Sequence, residues 1–178
     1  FKSMVVQNGD VVNLNANTRI NDFTVNTGGQ LDIAATNTLT VSGDLFDNDG
    51  TLTAADNSTI VLNSPALTTV ESASPLNLFN LTANTPGDLL TDATINIRGS
   101  LLLQDGDFDA SIGAVTLVSN ASGTGRLGPV AATASFTGRL AGTMTDARDA
   151  AIQATCPVRV VPRYGDLPMH ASGQRMLL

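Results

Sequence analysis

Residues 38–62 read TLTVSGDLFDNDGTLTAADNSTIVL, and this stretch decides the fold class. Leu39 and Val41 alternate with Thr38, Thr40 and Ser42, a period of two that puts apolar side chains on one face of a strand and hydroxyls on the other. Asp47-Asn48-Asp49-Gly50 then breaks the run with four residues that favour turns, and a second alternating run follows. The same grammar holds over the first 120 positions, in Val12-Asn13-Leu14-Asn15, Phe23-Thr24-Val25-Asn26 and Ile95-Asn96-Ile97-Arg98. Turn signals separate the runs at Asn8-Gly9-Asp10, Gly28-Gly29 and Asp105-Gly106-Asp107. Helix formers are scarce: the chain has one Lys (Lys2) and one Glu (Glu71). An all-β protein is expected.

An internal repeat narrows the architecture. Residues 23–64 align without a gap to residues 79–120, so Phe23 meets Phe79, Gly43-Asp44-Leu45 meets Gly99-Ser100-Leu101, and Asp49-Gly50 meets Asp105-Gly106. Strand-rich copies at a fixed offset point to stacked units that bury their apolar faces on one another. Within each copy, steps of 16 and 20 residues link Val25 to Val41, Val41 to Val61, Val61 to Leu81, Leu81 to Ile97 and Ile97 to Leu117. A step of that size suits one coil of a β-helix, with Gly43 and Gly99 supplying unusual backbone angles at corners. An antiparallel sandwich also has short strands and regular turns. Tight Asn-Gly hairpins are rare here, however, and the 16/20 order recurs. The expected fold is a right-handed parallel β-helix of about six coils, from roughly residue 5 to 120, with a β-like junction to 138. Val25, Leu39, Val41, Leu45, Leu52, Val61, Leu81, Ile95, Ile97, Leu101 and Leu117 form the expected inner stack.

Charge excludes some partners. Residues 1–125 carry thirteen acidic side chains against Lys2, Arg19 and Arg98, whereas residues 126–178 carry six Arg against three Asp. An acidic body disfavours nucleic acid, which is bound through Lys and Arg clusters. No run of about eighteen apolar residues is present to span a membrane. A single cysteine, Cys156, excludes an internal disulfide framework. Phe1 stands where an initiator Met would, and no leader follows it, so an internal piece of a longer chain is expected.

Val41-Ser42-Gly43-Asp44-Leu45, Asn48-Asp49-Gly50-Thr51-Leu52, Ser58-Thr59-Ile60-Val61-Leu62 and Leu78-Phe79-Asn80-Leu81-Thr82-Ala83-Asn84 together resemble large repetitive surface proteins of the Bacteroidetes. The stretch Ala121–Val130 looks like that family's junction after the repeats, so the resemblance covers roughly residues 20–138. It implies export, usually by a type IX secretion route, and a role outside the cell or on its surface. The partners it implies are surface glycans or other extracellular proteins. The sorting domain that such proteins carry at their C-terminus is not seen. From residue 139 the chain departs from the pattern: Ala, Arg, Met and Pro rise, and alternation fades. Residues 139–178 are read either as a shifted reading frame or as a linker, with a short Ala-rich helix over 145–155.

Few constellations suggest chemistry. Asp105, Asp107 and Asp109 alternate around a turn, echoed by Asp44, Asp47 and Asp49, and are candidate Ca²⁺ ligands because that ion takes six to eight oxygens. The closing Glu of an EF-hand and the Gly-Gly-x-Gly-x-Asp repeat are both missing, so solvated turns are the plainer reading and no cofactor is expected. A carbohydrate-binding or carbohydrate-cleaving β-helix is the alternative function. Cleavage needs paired carboxylates on one face, and the acidic residues fall mostly in turns. Cys156 and His170 lie fourteen residues apart with no signature around either, which makes a chance pair. Regular Thr arrays can order water as ice-binding proteins do. The outward positions mix Thr, Asn, Ser, Asp and Arg, which argues against that here. The expected function is a non-catalytic structural or adhesive segment of a large exported protein.

Overall fold

The computed structural model describes residues 2–120 and 123–143. It is all-β, with no helix among those residues, and its strands stack in parallel as a β-solenoid of about six turns. Each coil is a triangle of three short strands. The first face holds Met4–Val6, Phe23–Val25, Leu45–Asn48, Thr68–Ser72 and Leu89–Thr91, the second Val11–Leu14, Gln30–Ile33 and Thr51–Ala54, and the third Thr18–Ile20, Thr38–Val41, Thr59–Leu62 and Asn80–Asn84. The long strand Ser100–Asn120 bends through all three faces: residues 101–103 pair with the third, 108–109 with the first, and 114–117 with the strand Thr94–Ile97 that continues the second.

Backbone register defines the coil. Val41 lies beside Leu62, and Leu62 beside Ala83, so one turn takes 21 residues on this face. The 16-residue step from Val25 to Val41 is therefore not a coil: Val25 belongs to the first face and Val41 to the third. The 20-residue step from Val41 to Val61 falls one position short, and a slip of one turns a side chain to the other surface. Val61 accordingly faces outward and is half-buried, while Leu62 takes the interior place. Leu45 is displaced in the same way, with Phe46 inside. Leu52 does point inward but is only partly buried. The other eight expected core residues are all buried.

The offset of 56 has a simple origin. It carries Phe23–Val25 on the first face to the strand Asn80–Asn84 on the third, and Thr38–Val41 on the third to Thr94–Ile97, which continues the second. That is two complete coils and two further faces. The three faces use the same alternation over similar lengths, so a shift by one face preserves the pattern of apolar residues.

Corners depend on both turn geometry and space. Gly9 and Gly28 hold φ of 84° and 81° between the first and second faces, where glycine escapes the penalty of the left-handed region. Gly43 and Gly99 were expected to serve the same purpose, yet neither has a positive φ. They are small because of crowding: a Cβ at Gly43 would collide with the Asp22 carboxylate, and one at Gly99 with the Asn80 side-chain oxygen.

The second face is interrupted once. Thr51–Ala54 has no ladder to the next coil, whose strand Leu76–Leu78 pairs only onward with Thr94–Ile97. Pro75 precedes that strand and has no N–H to donate. Leu52 lies at this break, which accounts for its partial exposure. Arg98 bridges the gap: one guanidinium nitrogen donates to the Ala54 carbonyl at 3.1 Å, another pairs with Asp56 at 3.0 Å, and the group lies 5.7 Å from the centre of the Phe79 ring. Toward the C-terminal end the strand Arg126–Val130 remains on the third face, and Ala134–Thr143 carries the parallel pairing through Thr143, five residues beyond the expected junction. The rest of the tail, with Cys156, His170 and the expected helix, lies outside the described residues.

The interior is a column of side chains stacked coil on coil. Phe23 and Phe46 touch with ring centroids 4.8 Å apart, and Phe108 and Phe136 do so at 5.4 Å. Phe46→Ala removes a side chain that is 1 % exposed and leaves its neighbour unsupported. A loss of about 3–5 kcal/mol is expected, measured as a fall in the urea midpoint of the full chain.

Candidate functional site

With the interior filled by apolar side chains, chemistry is confined to the outer faces and corners. An internal gap of about 10 Å³ between Phe46, Val70 and Ile95 is at the lower limit for a single water and is lined by apolar groups. The larger recess is an open groove of about 280 Å³ on the first face, where Leu67 and Leu90 lie beside Asp88, Asp107 and Asp109. It is the place where outward carboxylates and exposed apolar groups meet, and it contains two of the three expected Ca²⁺ ligands.

Those ligands do not converge as one set. Asp107 and Asp109 project from the same outward surface of one strand, while Asp105 lies at the preceding corner, beside Gly106 with φ 74°. Each carboxylate has a local task. Asp105 accepts the Gly106 N–H at 3.0 Å, Asp109 accepts the Ser111 N–H at 2.8 Å, and Asp107 accepts the Ser135 hydroxyl of the next coil. Asp88, one coil earlier, accepts the Asp107 N–H at 2.9 Å. Among the described residues no group of three or more acidic, His or Cys side chains is arranged to hold a metal ion. Side-chain oxygens satisfying nearby N–H groups is what Asp does in turns.

A second acidic feature was not legible in the sequence. Asp47 and Glu71 are 24 positions apart but directly opposite one another in the parallel ladder of the first face, with Thr24 on the far side of Asp47. Neighbouring strands put such residues about 4.8 Å apart at the backbone. Partial burial pushes the Asp47 carboxyl above the ordinary range, and the charge of Asp49 adds to the effect. The 24-residue coil here, against 21 between Thr38–Val41 and Thr59–Leu62, cannot be anticipated without the structure, which is why the pair was missed. At the corner before this face, Asp22 behaves oppositely: hydrogen bonds from the Ser3 hydroxyl and from Asn21, opposed by burial, hold its carboxyl below the ordinary range.

The outer surfaces differ in chemistry. The first face presents Asp47, Glu71, Asp107 and Asp109. The second presents Asn13, Asp32, Thr53, Asn77 and Asn96, with Asn96 donating to Asn77 at 3.0 Å across adjacent coils. The third presents hydroxyl and apolar groups. On that face Asn80 acts as a staple: its side-chain oxygen accepts from both the N–H and the hydroxyl of Ser100, and its amide donates to the Ser58 carbonyl and the Thr59 hydroxyl.

Two measurements follow from this geometry. Since Asp47 binds its proton more tightly when folded, the stability it contributes is present below the ordinary carboxylate range and disappears as pH rises through the raised value. Asp47→Asn is therefore expected to raise stability near pH 7, by under about 1 kcal/mol because the site is partly solvated, and to lose that advantage at pH 3. Thermal melts at both pH values check it. If Asp105, Asp107 and Asp109 serve as turn acceptors, millimolar Ca²⁺ leaves the melting temperature of the full chain unchanged, since only a ligand that prefers the folded state shifts it.

Comparison with known proteins adds little to this. Residues 146–178 match a family model described as a domain of unknown function (DUF2016), a segment wholly within the tail and outside the described residues. No curated protein and no solved structure matches the chain.

Proposed function

We propose that this chain is a non-catalytic structural or adhesive segment of a large exported protein, displayed at the cell surface. The observation that supports this reading is the coil-on-coil ladder itself. Successive turns stack by parallel pairing around a mainly apolar interior, so the outward residues vary without disturbing the fold, and coils add length at about 4.8 Å each. Such a body suits a spacer that also offers long faces to glycans or other extracellular proteins. The resemblance of residues 20–138 to Bacteroidetes surface repeats points the same way.

One observation favours a second reading, a carbohydrate-cleaving β-helix. Asp47 and Glu71 form a pair of adjacent carboxylates, one of them with a raised proton affinity, which is the equipment that sugar hydrolysis uses. Neither carboxylate of the pair lines the groove, and the ring pairs Phe23–Phe46 and Phe108–Phe136 are buried.

Two assays on the full chain test both readings. Proteolytic shaving of intact source cells is expected to release its peptides, and recovery only from the cytosolic fraction would overturn the surface reading. Incubation with a panel of polysaccharides is expected to release no new reducing ends. Release that is abolished by Asp47→Asn or Glu71→Gln would make the chain an enzyme.

A further inference from the structure

The stack of coils is continuous on two faces and divided on one. The third coil, residues 45–62, and the fourth, residues 68–84, pair over four residues on the first face and four on the third. On the second face Thr51–Ala54 and Leu76–Leu78 remain neighbours without a ladder. Their other partners set the directions of their backbone groups. Thr51 and Ala55 donate their N–H groups to the Gly29 and Ile33 carbonyls of the coil before, each at 3.0 Å. Alternate residues of a parallel strand serve opposite neighbours, so Leu52 and Ala54 turn their groups toward the fourth coil. From the other side, the Arg98 N–H donates to the Leu78 carbonyl at 3.1 Å, which leaves Asn77 turned back toward the third coil. Both edges of the break thus carry backbone groups that no strand receives.

Two further observations fall at the same level. The internal gap is lined by Phe46, Ile60 and Leu62 of the third coil and by Val70, Leu76 and Leu78 of the fourth, so side-chain packing is incomplete there as well. Leu52, the inward residue of the third coil on this face, is only partly buried. What crosses the break is one side chain from beyond the fourth coil. Arg98 donates to the Ala54 carbonyl, pairs with Asp56 and lies against the Phe79 ring. Its side chain is 33 % exposed and that of Asp56 61 %, so the pair is open to screening by salt.

We propose that the second face carries a hinge seam: the stack bends by parting between its third and fourth coils, and Arg98 is the clasp that holds the seam shut. Parting there breaks no ladder hydrogen bond, whereas parting on the first or third face breaks a run of paired residues. The two intact ladders meet at the corner opposite the second face and serve as the spine about which the halves turn. Backbone groups of Leu52, Ala54 and Asn77 gain water when the seam opens, and the incomplete packing beneath lowers what the interior loses. Hinges confine a motion to a few positions, and here Arg98 either holds Ala54 and Asp56 or releases both. The bend is at this one seam, because the second face is laddered from Val11 to Ala54 and again from Leu76 onward. Bending of this kind is a property of the coil stack and is independent of export.

The full chain tests this with pairs of nitroxide labels on cysteines in a Cys156→Ser background. Asn13→Cys with Thr116→Cys spans the seam on the second face, five coil steps or about 24 Å at the backbone. Arg19→Cys with Leu102→Cys crosses the same two coils on the third face, four steps or about 19 Å. Pulsed dipolar spectroscopy is expected to give one narrow distance for each pair. Arg98→Gln is expected to add a second component to the second-face pair, longer by about 3 Å or more, the room a bridging water takes. The third-face pair is expected to stay as it was. Asp56→Asn in about 0.5 M NaCl weakens the clasp while leaving Arg98 in place, and is expected to give the same component at lower population. Circular dichroism verifies that the labelled chains fold. A second-face distance unmoved by both variants would overturn the hinge. Equal lengthening of the two pairs would overturn it too, since general loosening has no preferred face.

Discussion

The structure depends on one constraint: each backbone strand must pair with the strand directly above and below it in successive coils. Parallel pairing of this kind forces every turn to follow nearly the same path, because a strand that deviates loses hydrogen bonds on both sides. From that follow the stacked interior, the flat outer faces and the corners where residue choice is restricted. The interior shows the consequence in Leu39, Ile60 and Leu81, which lie one above another at 1 % exposure or less. Their burial drives folding, while the ladder decides which side chains are buried together.

One departure from the common path is met by a substitute. On the second face, the ladder fails between Thr51–Ala54 and Leu76–Leu78, and the Arg98 side chain meets the freed Ala54 carbonyl from two coils away. In the same region the first face takes 24 residues per turn, and this lengthening puts Asp47 against Glu71. Corner residues act similarly. Asn17 accepts the Thr38 N–H, Asn80 accepts the Ser100 N–H, and Asp88 accepts the Asp107 N–H, each serving the next coil. Many of the acidic and amide residues that a sequence presents as solvated turns are thus rungs between coils.

Function in such a fold is a property of surfaces rather than of a cleft. A solenoid repeats its faces, so a ligand that itself repeats meets many equivalent positions at once, and weak contacts add. The acidic first face, with the groove around Asp107 and the carboxylate pair at Asp47, and the hydroxyl and apolar third face around Val61 are chemically distinct surfaces on one scaffold. They are separated because strand alternation and the triangular coil send residues near in sequence to different sides.

Residue order alone determined that this chain is all-β, that its strands alternate, and that similar units stack. Those properties rest on local period and composition, which survive any choice of register: Leu39, Val41, Ile95 and Ile97 were legible as interior from their neighbours only. Of the three aspartates read as turn residues, Asp105 lies at a corner, whereas Asp107 and Asp109 stand on the strand, and the partners that each holds were not legible. What only the tertiary structure decided is register and face. The 56-residue repeat is degenerate, because three faces with the same alternation look alike when shifted by one. A single step of the ladder separates Val61 outside from Leu62 inside. Apolar patterning cannot resolve that step where two or more apolar residues are adjacent, as in Ile60-Val61-Leu62. The pairing of backbone N–H and carbonyl groups between coils resolves it, and with it which outward residues share a face.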